Sequence, residues 1–128
     1  MAPFVLAVDN NRMNLEFIRY LLTYFGYMVK TAPSVMEGLA LIDKSRTCLI
    51  ISDLNLPHRS GFDFLKKVKE QPDLKDIPFV IMSSTSRSLQ DAERARQLGA
   101  DKFIFRPMEP QALLDEIRPY LDADCVLA

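Results

Sequence analysis

Five short runs with strand-like composition alternate with five amphipathic segments along the 128-residue chain, and this alternation limits its fold more than any other feature. Short apolar or β-branched runs predict strands, whereas apolar residues at helical spacing predict helices. Alternation with short connections is typical of a parallel sheet with right-handed crossovers and helices on both faces. We therefore predict an α/β fold with one five-stranded parallel sheet, its strands at residues 4–8, 27–31, 48–52, 79–82 and 102–105.

The segments between the predicted strands carry helix signals of their own. Gly26 is placed to end the first helix in a left-handed cap, and Ser34 with Glu37 predicts a capping box before the second. The fourth helix, at residues 88–98, offers only a narrow apolar stripe, so we predict that it is weakly anchored and movable. Pro119 conflicts with the fifth helix and is expected to bend or shorten its last turn.

Length and composition indicate a single domain. A chain of 128 residues with 48% hydrophobic and 26% charged residues is long enough to bury a core without covalent cross-links. We expect one domain over residues 1–128, with its core at residues 4–121 and a frayed tail at residues 122–128.

Charge and cysteine content restrict the partners and the compartment. The formal net charge of -1 provides no positive surface for a nucleic-acid backbone, so direct binding to nucleic acid is not expected. The apolar runs are of strand length, and we expect neither a membrane span nor a signal peptide. Cys48 and Cys125 lack metal-ligand spacing, which favours reduced thiols in a cytoplasmic protein.

The most informative stretch is residues 49–57, where a buried strand delivers Asp53 to a loop. Taken alone, an Asp at a strand end is more often a turn former or a helix cap. Parallel strands, however, bring their carboxyl ends to one rim of the sheet. The other strands that end in polar residues contribute Asp9 and Asn10, Ser83, and Arg106. Such groups suit a hard cation and a phosphoryl group, and they fit equally a structural cluster of acids neutralised by the arginine.

Several short stretches at these spacings resemble a known family, the receiver domains of two-component response regulators. The resemblance spans roughly residues 4–121 and is carried by Val8-Asp9-Asn10-Asn11, Ser52-Asp53-Leu54-Asn55-Leu56-Pro57 with Ser60-Gly61, Ser83, Leu98-Gly99-Ala100-Asp101, and Arg106-Pro107. It implies a flavodoxin-like sheet and a phosphoacceptor signalling domain rather than an enzyme, with at most self-catalysed phosphoryl transfer and dephosphorylation.

The resemblance also implies roles for residues at the rim. Asp53 matches the aspartate that accepts phosphoryl from a histidine. Asp9, Asn10 and Asp53, together with the backbone carbonyl of Asn55, match the ligands of a Mg²⁺ ion.

Further matches concern the response to phosphorylation. Ser83 and Arg106 match the groups that stabilise the phosphoryl group, and Ser83 with Phe103 matches the switch pair. Without the resemblance, Phe103 is more simply expected in the core, because aromatic side chains dominate protein cores. The peptide bond before Pro107 is expected to be cis by the same likeness.

Two positions depart from the family pattern. Asn10 stands where the family usually has a second acid, so one negative charge is missing and Mg²⁺ binding should weaken. Arg106 stands where the family has lysine, and its guanidinium is able to hold Asp53 in a standing ion pair. Both changes argue against efficient phosphorylation without excluding it.

We therefore carry two main hypotheses. In the first, a histidine kinase or phosphotransfer domain phosphorylates Asp53, and a downstream protein partner binds helix four, strand five and helix five. In the second, a degenerate receiver binds partners without chemistry. A hydrolase or flavin binder is disfavoured because a glycine-rich phosphate loop is missing and His58, expected to face solvent, is the only histidine. Homodimer formation is left open.

Overall fold

The computed structural model describes residues 2–83 and 88–121. The main strands are β1 (Phe4–Val8), β2 (Val29–Ala32), β3 (Thr47–Asp53), β4 (Phe79–Ser83) and β5 (Lys102–Phe105). The helices are α1 (Arg12–Tyr24), α2 (Val35–Leu41), α3 (Gly61–Lys69), α4 (Leu89–Gln97) and α5 (Pro110–Ile117). The predicted tail at residues 122–128 and the hydroxyl-bearing Ser84, Thr85 and Ser86 lie outside the described residues.

The five strands form one parallel sheet in the order β2-β1-β3-β4-β5. This confirms the predicted α/β fold, including the position of the second strand at an edge. The central strand β3 pairs with β1 on one side and with β4 on the other. Because all strands run the same way, the carboxyl ends of β1, β3, β4 and β5 open on a single rim.

Side chains of the sheet alternate between two cores. On one face, residues of β1 such as Phe4 and Leu6 pack with side chains of α2, α3 and α4. On the other face, Val5 and Ala7 pack with side chains of α1 and α5. Both faces of the sheet are therefore covered by helices, as the apolar character of the strands predicts.

Local signals define the helix ends. The side chain of Asn11 caps α1 by accepting hydrogen bonds from Met13 N at 2.9 Å and Asn14 N at 3.2 Å. Gly26 follows α1 with φ 93°, a left-handed conformation that glycine adopts without a steric cost. Pro119 has the predicted effect, since α5 ends at Ile117 and a short 3₁₀ turn follows.

Three local expectations need correction. The second strand begins at Val29 rather than residue 27, because residues 25 and 26 form the turn after α1 and residue 27 makes only an isolated bridge. The loop after β3 contains a short antiparallel pairing of residues 55–56 with residues 59–60. Cys48 is disulfide-bonded, so the expectation of a reduced thiol at that position is wrong. Cys125 lies outside the described residues.

Within residues 2–83 and 88–121, none of the helices has both the length and the apolar character that crossing a membrane requires. The longest, α1, has 13 residues.

Gly61 supports the turn that carries the end of β3. Its N–H donates to the Leu54 carbonyl at 2.6 Å, and a Cβ at this position would lie 2.5 Å from the Asp53 carbonyl oxygen and 2.9 Å from the Leu54 Cα. These are backbone atoms that have little room to move. The side chain that fits between β3 and the start of α3 is therefore hydrogen alone.

We predict that Gly61→Ala lowers the free energy of unfolding by roughly 2–3 kcal/mol, because the added methyl forces the backbone apart. Gly38→Ala is the control, since its Cβ would meet the Val8 side chain at 2.9 Å and alanine favours the helix. Urea denaturation of both variants checks this. Equal losses in the two variants would contradict the assigned role of Gly61.

Candidate phosphoacceptor site at the carboxyl rim of the sheet

Asp53 ends β3 at the centre of the rim, with 8% of the residue exposed. The strand places it opposite Met82 of β4, while β1 lies on its other side. The following turn is fixed by the hydrogen bond from Gly61 N to Leu54 O. The apolar strand thus holds one carboxylate at a nearly buried position of the rim.

Asp9 follows β1 at the same rim and is 2% exposed. Its Oδ1 accepts from Asn11 N at 2.8 Å, and its Oδ2 accepts from the Asn14 side-chain amide at 3.0 Å. Both oxygens are therefore held by donors from the start of α1. Sequence reasoning did not single out Asn11 or Asn14 as part of the site, although an Asn two residues after the acid is itself a helix-cap signal.

Arg106 joins the two acids. Its Nη1 lies 3.0 Å from Asp53 Oδ1 and 3.2 Å from Asp9 Oδ2, and the guanidinium side chain is only 11% exposed. The side chain reaches Asp53 from β5 by crossing β4, where Nη2 lies 3.8 Å from the Met82 sulfur. The ion pair between Arg106 and Asp53 that the sequence suggested is present, and it includes Asp9 as well.

The charge state of Asp53 is set by opposing effects. Burial raises the pKa of the Asp53 carboxyl above its ordinary value of 3.8, and the Asp9 carboxylate acts in the same direction. The Arg106 guanidinium and the backbone N–H groups of Asn55 and Leu54 lower this pKa without cancelling the increase. The carboxylate is consequently less stable in the fold than in water.

Ser83 and Phe103 lie next to this centre. Ser83 ends β4, is 1% exposed, and accepts through its carbonyl from Arg106 N at 2.8 Å. Phe103, on β5 opposite Ile81, is half-buried and packs against the core, and its ring lies 5.3 Å from that of Phe105. The core contact expected for an aromatic residue at this position is therefore present. The Arg106–Pro107 peptide bond is cis, as the resemblance implies.

The oxygen atoms at the rim are of the kind that binds Mg²⁺. Asp9 and Asp53 offer the carboxylate oxygens that Mg²⁺ prefers, and the exposed Asn10 and Asn55 lie beside them. Across residues 2–83 and 88–121, no group of three or more acidic, histidine or cysteine side chains is suited to a metal ion. The oxygen chemistry fits, but Arg106 Nη1 occupies the position between the two carboxylates and has to move for a cation to contact both.

His58 does not belong to the site. It is exposed and adopts φ 65° in the turn between residues 55–56 and 59–60. The solvent-facing position expected for it is observed.

Comparisons with known proteins agree with this geometry. The chain matches the response regulator receiver domain over residues 5–118. Two-component response regulator ORR3 of Oryza sativa subsp. indica is 38% identical over 109 residues, which cover 84% of this chain and 82% of that protein. Polar-differentiation response regulator DivK of Brucella anthropi is 30% identical over 121 residues, covering 94% and 98%. Chemotaxis protein CheY4 of Vibrio cholerae superposes with a TM-score of 0.85 at 32% identity, covering 94% and 100%.

The chain therefore belongs to the response regulator receiver domain family. It is a receiver domain of two-component signalling, with a flavodoxin-like fold. Domains of this family are signalling modules rather than enzymes, generally bind Mg²⁺ at the acidic pocket, and have histidine kinases or phosphotransfer domains as partners. The resemblance found in the sequence is confirmed.

We predict that Asp53→Asn raises the free energy of unfolding by about 1 kcal/mol at neutral pH, because it removes an unfavourable buried charge. A pKa that is raised in the fold means that protonated Asp53 favours folding at low pH and that this contribution is lost as pH rises through the folded pKa. The gain from Asn should accordingly shrink as pH falls towards 4.

Urea denaturation at several pH values measures this difference. Asp73→Asn is the control, because Asp73 is exposed and its contact with Lys44 is 3.7 Å long. A loss of stability in Asp53→Asn at neutral pH would mean that the Arg106 contact outweighs the cost of burial.

Proposed function

We propose that this chain is a phosphoacceptor module in a phosphorelay, in which Asp53 accepts a phosphoryl group from a histidine kinase or a phosphotransfer domain. The observation that carries the proposal is the meeting of Asp9 and Asp53 at one guanidinium nitrogen, at 3.2 and 3.0 Å. A carboxylate next to a cation at the rim of a parallel sheet, where the loops leave room for a donor, supports Asp53 as the proposed nucleophile.

In the proposed reaction, one Asp53 carboxylate oxygen attacks the phosphorus of a phosphohistidine. The P–O bond to Asp53 forms while the P–N bond to the imidazole breaks, and the imidazole leaves with the electron pair of that bond. Asp53 then carries an acyl phosphate. Ser83 and Arg106 are the groups proposed to bind its oxygens, through the hydroxyl and the guanidinium respectively.

Mg²⁺, when bound, supplies positive charge to the phosphoryl oxygens. Asp9, Asn10, Asp53 and the Asn55 carbonyl are the residues proposed to hold it. With Asn10 in place of an acid, and with Arg106 already paired to both carboxylates, this binding is expected to be weak.

Output is proposed to pass through the face formed by α4, β5 and α5. The helix α4 buries only Ala95 among its residues, which is the narrow anchoring that its sequence predicts. A phosphoryl group that draws in Ser83 and repositions Phe103 would alter this face, and a protein partner would respond to the altered face.

A second function is favoured by one specific observation. Arg106 Nη1 holds Asp53 Oδ1 in an ion pair at 3.0 Å. In this alternative the chain is a degenerate receiver that binds a protein partner independently of phosphorylation. The two functions differ in whether Asp53 reacts.

We predict that incubation with Mg²⁺ and a small phosphodonor adds one phosphoryl group to the protein, slowly, and that Asp53→Asn abolishes this addition. Asn10→Asp combined with Arg106→Lys should accelerate labelling at least about tenfold, because the acid restores a metal ligand and lysine is a smaller point donor. Intact-protein mass spectrometry measures the addition.

Gln71→Glu combined with Arg118→Lys is the matched control, since it makes the same changes of charge and side chain away from the rim. If Asn10→Asp combined with Arg106→Lys is labelled and the unmodified protein is not, the natural sequence is a degenerate receiver. The absence of labelling in every variant would contradict the assignment of Asp53.

A further inference from the structure

The outward face of α1 carries four large apolar side chains in one stripe. Met13, Tyr20 and Tyr24 are 82%, 74% and 84% exposed, and Phe17 is 38% exposed. The core side of the same helix is formed by Leu15, Ile18 and Leu22. At 3.6 residues per turn the stripe lies opposite this core side, which leaves Met13, Tyr20 and Tyr24 largely uncovered and Phe17 partly covered.

The spacing of the stripe is that of a helix–helix contact. The intervals between residues 13, 17, 20 and 24 are four, three and four, which is the alternation of apolar positions at a coiled-coil seam. The same intervals read identically in both directions along the helix. The stripe is therefore complementary to an antiparallel copy of itself, with position 13 facing position 24 and position 17 facing position 20.

We propose that a second copy of this chain docks on the α1 stripe (Met13, Phe17, Tyr20 and Tyr24) to form a two-fold antiparallel dimer. A two-fold axis between Phe17 and Tyr20 makes the contact isologous, which is the commonest symmetry of soluble dimers. The proposal does not depend on phosphorylation of Asp53.

The size and surroundings of the stripe suit such a contact. An aromatic side chain buries roughly 150–250 Å² in full, but Phe17 is only 38% exposed, so the four side chains together offer on the order of 500 Å² per copy, or about 1,000 Å² in the dimer, near the lower limit for a specific interface. A cavity of about 340 Å³ beside the stripe, bordered by Phe25 and Pro110, gives the apolar side chains of a partner room to enter. Within α1 the adjacent Glu16 pairs with Arg19 at 3.6 Å, so these two opposite charges lie together beside the contact.

Sedimentation equilibrium from micromolar to near-millimolar concentration tests the proposal. The unmodified protein should form a weak dimer, and Tyr20→Lys should weaken dimerisation at least about tenfold, because each dimer loses two central aromatic contacts. Met36→Lys is the matched control, since Met36 is 73% exposed but lies on α2. Circular dichroism confirms that the variants are folded.

A charge pair tests the antiparallel register. Met13→Lys and Tyr24→Glu should each weaken the dimer, and the double variant should recover it, because each lysine then faces a glutamate of the other copy. A parallel arrangement would place like charges together and would show no recovery.

Three results would overturn the proposal. The first is a monomer at every concentration. If Tyr20→Lys in that case slows phosphoryl transfer from a phosphotransfer domain, the stripe is the binding surface for that donor. The second is a dimer that Leu89→Lys on α4 disrupts while Tyr20→Lys does not. The third is a failure of the double variant to recover dimerisation.

Discussion

The contact of one guanidinium with two nearly buried carboxylates is the interaction on which the rim of this domain depends. Two negative charges at adjacent strand ends repel each other, and burial removes the water that would screen them. The chain compensates with Arg106, whose side chain crosses β4 from β5 to reach Asp53 and Asp9. The strand order makes this possible, because β1 lies next to β3 and only β4 separates β3 from β5.

The two departures from the family pattern act in the same direction. Asn10 removes a negative charge from the rim, which leaves two carboxylates instead of three acidic groups. A divalent ion would offset the whole charge of these two carboxylates, whereas a single positive charge offsets half of it. Arg106 provides such a charge and has the geometry to contact both acids at once. The rim is therefore partly neutralised by a side chain, and a Mg²⁺ ion has to compete with that internal cation.

The sequence predicted the parts of this arrangement that follow from strand ends. Apolar runs located the strands, and parallel topology then placed Asp9, Asp53 and Arg106 on one rim. Side-chain partners were harder to predict, because the hydrogen bonds from Asn11 and Asn14 to Asp9 depend on the direction in which α1 leaves β1. The disulfide bond at Cys48 was also missed, since spacing along the chain does not reveal which thiols meet in space.

The exposed apolar side chains of the domain are isolated on α2 and α4 but grouped on α1, and only the grouped ones form a surface that could bind another protein. Met36 and Leu89 stand singly on α2 and α4, which is ordinary for a protein surface. On α1 four such side chains share one line, opposite the buried stripe and without an intervening charge. The outward face of α3, by contrast, carries Lys66 and Lys67. A helix that is apolar on both sides is stable in water only at a solvation cost, and contact with another apolar surface removes that cost.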